Sequence, residues 1–196
     1  MEKDEKREIR MVSVPVTVTG DGDKRTVEGY AALIGVSSDR LDFEERIEPG
    51  AFDGVIERSD VLALLNHSAM RGILARCVKG VGSLRLEVDS KGLRYSFDAP
   101  RTALGDELLE NIRRGEVTES SFAFDVEGDT WIRKDDGTWK RSISRIGYLY
   151  DVSPVYSAAY SQTSVYLRGR DKAEEELRRS EPIPETYYEN LERSVY

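Results

Sequence analysis

Cysteine is almost absent: Cys77 is the only one. No intramolecular disulfide can form, so the fold needs no oxidising compartment. Histidine is equally scarce, with His67 alone. A zinc site built on several His or Cys ligands has almost nothing to draw on. Any histidine base in this chain must be His67. An excess of basic residues is also missing: 29 Lys and Arg stand against 37 Asp and Glu, a net charge of −8. That argues against a nucleic-acid partner, which would meet a basic face, and against docking on anionic lipid. No apolar run is long enough to span a membrane. The start, Met1 to Glu8, has no apolar stretch of the secretory kind. A soluble protein of the cytosol is the expectation.

What remains is a chain of 196 residues, 39% hydrophobic and 34% charged. That suits one domain with charged ends. Residues 1–10 read as a charged, solvated arm, residues 11–169 as the domain, and residues 170–196 as a charged appendage. Val12, Val14, Val16 and Val18 alternate with polar residues and Pro15, which predicts a half-buried strand at an edge or with a bulge. Thr26 to Val36 reads as its return strand after Gly20-Asp21-Gly22-Asp23. Phe52, Val55 and Ile56 make a short amphipathic piece. Val61 to Leu65 is a continuous apolar run that suits a buried strand and delivers Asn66-His67 at its end. Leu84 to Val88 and Leu93 to Phe97 flank Asp89-Ser90-Lys91-Gly92 as a hairpin. Leu104, Leu108 and Ile112 form one face of a helix over 103–114, with Thr102 as N-cap and Gly115 as stop. Glu119 to Lys134 and Thr138 to Tyr150 read as strands joined by Asp135-Asp136-Gly137, and Asp151 to Leu167 as a last core segment. The sum is an α+β, mostly β domain with antiparallel strands and one main helix.

Within Glu119 to Val126, alternation puts Phe122, Phe124 and Val126 on one face and Ser121, Ala123 and Asp125 on the other. Ser121 then has rigid aromatic support behind it and an open side in front. Ser120 falls on the phenylalanine face. A serine hydroxyl needs a base within hydrogen-bond reach, and His67 fits because an ordinary imidazole titrates near about 6.5. A third group must hold the other ring nitrogen, and Asp151 is the candidate. Cys77 is a rival nucleophile, though a small buried thiol is the plainer reading. No oxyanion donor is selected; Gly115 or a neighbouring loop is a candidate. Spacing alone does not single out this set.

The ordered set Pro49-Gly50-Ala51-Phe52, Asn66-His67, Ser121-Phe122-Ala123-Phe124 and Asp151-Val152-Ser153-Pro154-Val155 resembles the tailed-phage prohead proteases, over about Gly29 to Leu167. That family is similar to the herpesvirus assemblins. The resemblance implies a β-barrel-like core with surrounding helices, and a serine endopeptidase that cuts scaffold or coat-protein segments, and itself, inside the immature capsid. It places Ser121 at the nucleophile, His67 at the base and Asp151 at the acidic position. Ala123, Ser68 and Asp151 depart from residues common there: Gly, Asp and Glu. Coat and scaffold proteins are the implied partners, self-association is implied by the assemblins, and no metal or organic cofactor is implied. The implied location is the host bacterial cytoplasm, within the procapsid. The competing reading is a non-catalytic scaffold or capsid-interaction protein that keeps the fold.

Overall fold

The structure, a computed structural model, describes residues 7–19, 25–38, 41–156 and 174–175. Two units separate, Met1–Gln162 and Thr163–Tyr196. The predicted appendage falls in the second unit, of which only the helical pair Glu174 and Glu175 is described.

The first unit holds two sheets. The larger runs in the order β1 (Glu8–Val12), β11 (Val117–Arg133), β12 (Trp139–Tyr156), β6 (Asp60–Ala63), β7 (Ala75–Val78) and β8 (Val81–Gly82). Strands β4 (Ser37–Ser38) and β5 (Glu44–Ile47) join it through β12. The smaller sheet has the order β2 (Thr17–Thr19), β3 (Thr26–Leu33), β10 (Gly92–Asp98), β9 (Arg85–Val88). The expected antiparallel direction needs correction, because β12 runs parallel to both β5 and β6. The described strands make two mixed or antiparallel sheets, and barrel closure is not among their pairings.

Inward-facing side chains from both sheets pack into one core. Its large members include Tyr95, Phe97, Phe122, Phe124, Leu108, Ile143 and Leu149. The helix α1 (Ala103–Arg113) sits where its pattern places it, with Leu108 and Leu109 buried. Thr102 caps it by accepting from the Gly105 N–H, and Gly115 follows the end at φ 73°. The β9–β10 hairpin forms as read, with Asp89 Oδ1 accepting from the N–H groups of Lys91 and Gly92 at 2.8 and 2.9 Å.

Two readings near the start fail. The strand expected over 12–18 is split: β1 joins the large sheet and β2 the small one, with Pro15 between them. Proline offers no N–H to a ladder, so the chain changes sheets there. The charged arm is not wholly solvated either. Glu8 is buried and Arg10 half-buried, because β1 pairs along β11 from Glu8↔Phe124 to Val12↔Ser120.

Candidate active site

Three adjacent strands of the large sheet, β11, β12 and β6, assemble the site. Ser121 sits in β11 with Phe122 and Phe124 behind it, their rings stacked at 4.3 Å between centroids. Ser120 points the other way, and its hydroxyl lies 2.8 Å from the buried Tyr95 hydroxyl. The two neighbouring serines therefore have unrelated surroundings, as alternation requires.

His67 follows β6. The apolar residues that lead to it, Val61, Ala63, Leu64 and Leu65, are buried, and the backbone then turns sharply. Asn66 and His67 both take left-handed conformations, at φ 58° and 59°. The Ser68 N–H closes the turn on the Leu65 carbonyl at 3.2 Å, as in a type I′ turn. Such backbone is strained for a non-glycine residue. It is held by bonds to β12: Leu64 N–H to the Val152 carbonyl and Asn66 N–H to the Pro154 carbonyl, both 3.1 Å.

Asp151 lies on β12, opposite Ala123 of β11 and Leu62 of β6. Phe124 pairs with Leu149 and Ala123 with Asp151, so Tyr150 is an extra residue on β12. This bulge breaks the period of two. Leu149 faces the core with Phe124, while Asp151, two residues on, shares the face of Ser121. Unbroken alternation would have put Asp151 on the phenylalanine side.

The result is a continuous chain of polar contacts. His67 Nε2 lies 2.7 Å from Ser121 Oγ, and His67 Nδ1 lies 2.6 Å from Asp151 Oδ1. A carboxylate only accepts, so Nδ1 carries the proton, and in the neutral ring Nε2 is free to accept from the serine. Asp151 is buried, and burial pushes its carboxyl up. Hydrogen bonds from His67 and Ser153 and the charges of His67 and Arg7 outweigh that and hold it below the ordinary range. Asp151 is thus ionised at neutral pH.

The sequence alone gives Ser153 no role. It pairs with Ser121 across the ladder, and its hydroxyl donates to Asp151 Oδ1 at 2.6 Å. Ser153 Oγ in turn accepts from the His67 backbone N–H at 3.3 Å. It fixes the carboxylate and the imidazole turn together. The signal was available, since Ser153 is two residues from Asp151 and so on its face. Arg7 was missed as well: its Nη2 donates to Asp151 Oδ2 at 2.5 Å. Nothing in a run of charges marks one arginine as inward-pointing.

The rivals fare differently. Cys77 lies on β7 opposite Val61, and burial pushes its thiol up, leaving little thiolate at neutral pH. The Gly115 N–H donates to the Ile112 carbonyl at 3.1 Å, so that amide is already used at the helix end. The open side expected in front of Ser121 is closed: the residue is 0% exposed, and its hydroxyl also donates to the Arg10 carbonyl of β1 at 2.8 Å.

The family described as Caudovirus prohead serine protease matches residues 12–177. The chain belongs to this family. It is a serine protease of prohead maturation, and the matched span contains His67, Ser121 and Asp151 but little of β1. No curated protein matches the chain. Among solved structures it is similar to the capsid assembly protease of bacteriophage T4, at 11% identity, over 78% of this chain and 99% of that one, with a TM-score of 0.44.

Proposed function

We propose that the protease works through Ser121, His67 and Asp151 as nucleophile, base and orienting acid. The observation behind this is the contact of the single imidazole with both partners, 2.7 Å to the Ser121 hydroxyl and 2.6 Å to the Asp151 carboxylate. Nε2 takes the Ser121 proton as the oxygen attacks a peptide carbonyl. The imidazolium so formed is stabilised by Asp151. It gives its proton to the leaving amine, and an ester links the substrate's acyl part to Ser121. A water, deprotonated by the same ring, releases the acid and restores the serine. Asp151 does not take the proton; it keeps the ring in the right tautomer. Ser153 is a positioning residue, since it touches the acid and the imidazole turn rather than the reacting atoms.

The substrates in this reading are coat and scaffold segments within the procapsid of the infected cell, together with the chain itself. Self-association belongs to the same reading. The test is co-expression with coat and scaffold proteins, followed by intact-mass measurement. Wild type trims them and Ser121→Ala does not, while retaining the same circular dichroism. Equal trimming by both chains would remove Ser121 from the mechanism. A wild-type chain that trims nothing and never acylates would favour the non-catalytic scaffold role.

A further inference from the structure

The nucleophile is buried under a piece of its own chain, and the manner of burial is informative. Strand β1 lies antiparallel to β11 with Met11 opposite Ser121 and Ile9 opposite Ala123. A serine protease commonly holds its substrate as an added strand beside the nucleophile, with main-chain bonds for affinity and alternate side chains for selection. Here β1 occupies that edge. The Arg10 carbonyl oxygen stands 2.8 Å from Ser121 Oγ, where a substrate carbonyl has to come. Upstream, Arg7 reaches Asp151. One short segment thus contacts both ends of the proposed catalytic set.

The side chains of β1 that face away from Ser121 are held as specifically. Arg10 Nη2 donates to Glu45 Oε2 at 2.7 Å, and its guanidinium lies 5.7 Å from the Phe124 ring centre. Glu8 accepts from Arg141 Nη1 and Nη2 at 2.6 and 2.9 Å. Arg141 Nη1 also donates to Glu45 at 2.9 Å. Arg141 and Glu45 are both buried, and they form a receptor with one basic and one acidic end. A strand seated there must offer an acid and then, two residues later, an arginine. The apolar residues that follow, Met11 and Val12, line a groove together with Leu33, Val36 and Ile47.

We infer that the β11 edge at Ser120–Phe124 is the binding site for an extended peptide of the pattern Glu-x-Arg, and that β1 fills it as an intramolecular pseudo-substrate. The inference rests on the protease reading of Ser121 and adds a ligand class and a resting state to it. The chemistry of the resting state follows from one proton. The Ser121 hydroxyl has a single hydrogen and two acceptors, His67 Nε2 at 2.7 Å and the Arg10 carbonyl at 2.8 Å. While it donates to Arg10 it does not donate to the base, and no other carbonyl can approach. Displacing β1 restores both conditions. Nearly all of β1 precedes the residues matched by the family.

The test uses the full chain with Ile9→Pro, which weakens pairing of β1 while leaving Ser121, His67, Asp151, Glu45 and Arg141 in place. Ser121 acylation by a fluorophosphonate is expected to be at least about tenfold faster than in wild type. Independently of chemistry, a fluorescent peptide Arg-Glu-Ile-Arg-Met-Val-Ser should bind Ile9→Pro/Ser121→Ala by anisotropy. Its affinity should fall at least about tenfold when the peptide carries Arg10→Ala or Glu8→Ala. Hydrogen exchange of the wild-type chain gives a third readout: β1 amides should exchange faster than the β11–β12 ladder, and faster still when excess peptide competes for the same edge. Unchanged acylation together with no peptide binding would overturn the inference while leaving the protease reading intact. Equal binding of the alanine peptides would overturn the Glu-x-Arg selection. Selective peptide binding without any Ser121 acylation would keep the strand site and sink the hydrolase reading instead.

Discussion

The Asp151 carboxylate collects partners from three parts of the chain: His67 and Ser153 on Oδ1, and Arg7 on Oδ2. Each fixes a different aspect of the imidazole. Asp151→Asn would present an amide that can donate to Nδ1 and so favour the wrong tautomer. Hydrolysis should fall on the order of 10³-fold or more with KM little changed, measured on any cleaved peptide. Ser153→Ala should cost about tenfold in kcat, and Ser153→Thr should recover part of it, because only the hydroxyl is required. Recovery by Thr distinguishes orientation from simple packing. The pH response of stability follows from the lowered carboxyl of Asp151. A depressed folded pKa means the stabilisation is complete above the unfolded value, near about 3.9, and is lost as pH falls through the folded one. Urea titrations between about pH 6 and 3 should show wild type losing stability faster toward acid than Asp151→Asn. Parallel curves would contradict the assignment.

At the scale of elements, the strands that bring His67, Ser121 and Asp151 together were legible to different degrees. Ser121's face was readable because Phe122 and Phe124 alternate with it without interruption. The turn at His67 was readable only as the end of an apolar run; nothing in Asn66-His67 announces two left-handed residues in succession. Asp151's face was not readable, since the bulge at Tyr150 inverts the alternation and leaves no compositional mark. The β1 strand was misread because charged residues usually mean solvent, and burial here depends on partners 35 and 133 residues away, Glu45 and Arg141. Close backbone approach also fixes the smaller sheet. A Cβ on Gly92 would stand 2.0 Å from the Ala32 carbonyl oxygen, a contact with rigid backbone. Gly92→Ala should therefore destabilise by about 1–3 kcal/mol in urea unfolding. At the helix start, Thr102→Ala removes the cap on Gly105 N–H and should cost about 1 kcal/mol.

Over the whole molecule, a four-charge cluster of Glu8, Arg10, Glu45 and Arg141 ties the first strand to β5 and β12. Burial alone would shift Glu8, Arg10 and Arg141 toward neutrality, but hydrogen bonds and charges within the cluster outweigh it, lowering Glu8 and raising both arginines. Arg141→Met strips two buried carboxylates of a partner and should destabilise by about 3–5 kcal/mol, far more than loss of a surface pair. The mixed direction of the large sheet has a whole-molecule consequence too. Because β6 runs parallel to β12, its far end delivers the His67 turn beside Ser153 and Asp151, on the same side as Ser121. In the proposed mechanism this delivery activates the hydroxyl, so loss of the ring must slow the reaction of Ser121. Wild type and His67→Gln are treated with a fluorophosphonate and the adduct is located by peptide mass. The adduct is predicted on Ser121, forming at least about 100-fold more slowly in His67→Gln. Equal rates in the two chains, or an adduct on Cys77 in place of Ser121, would contradict it.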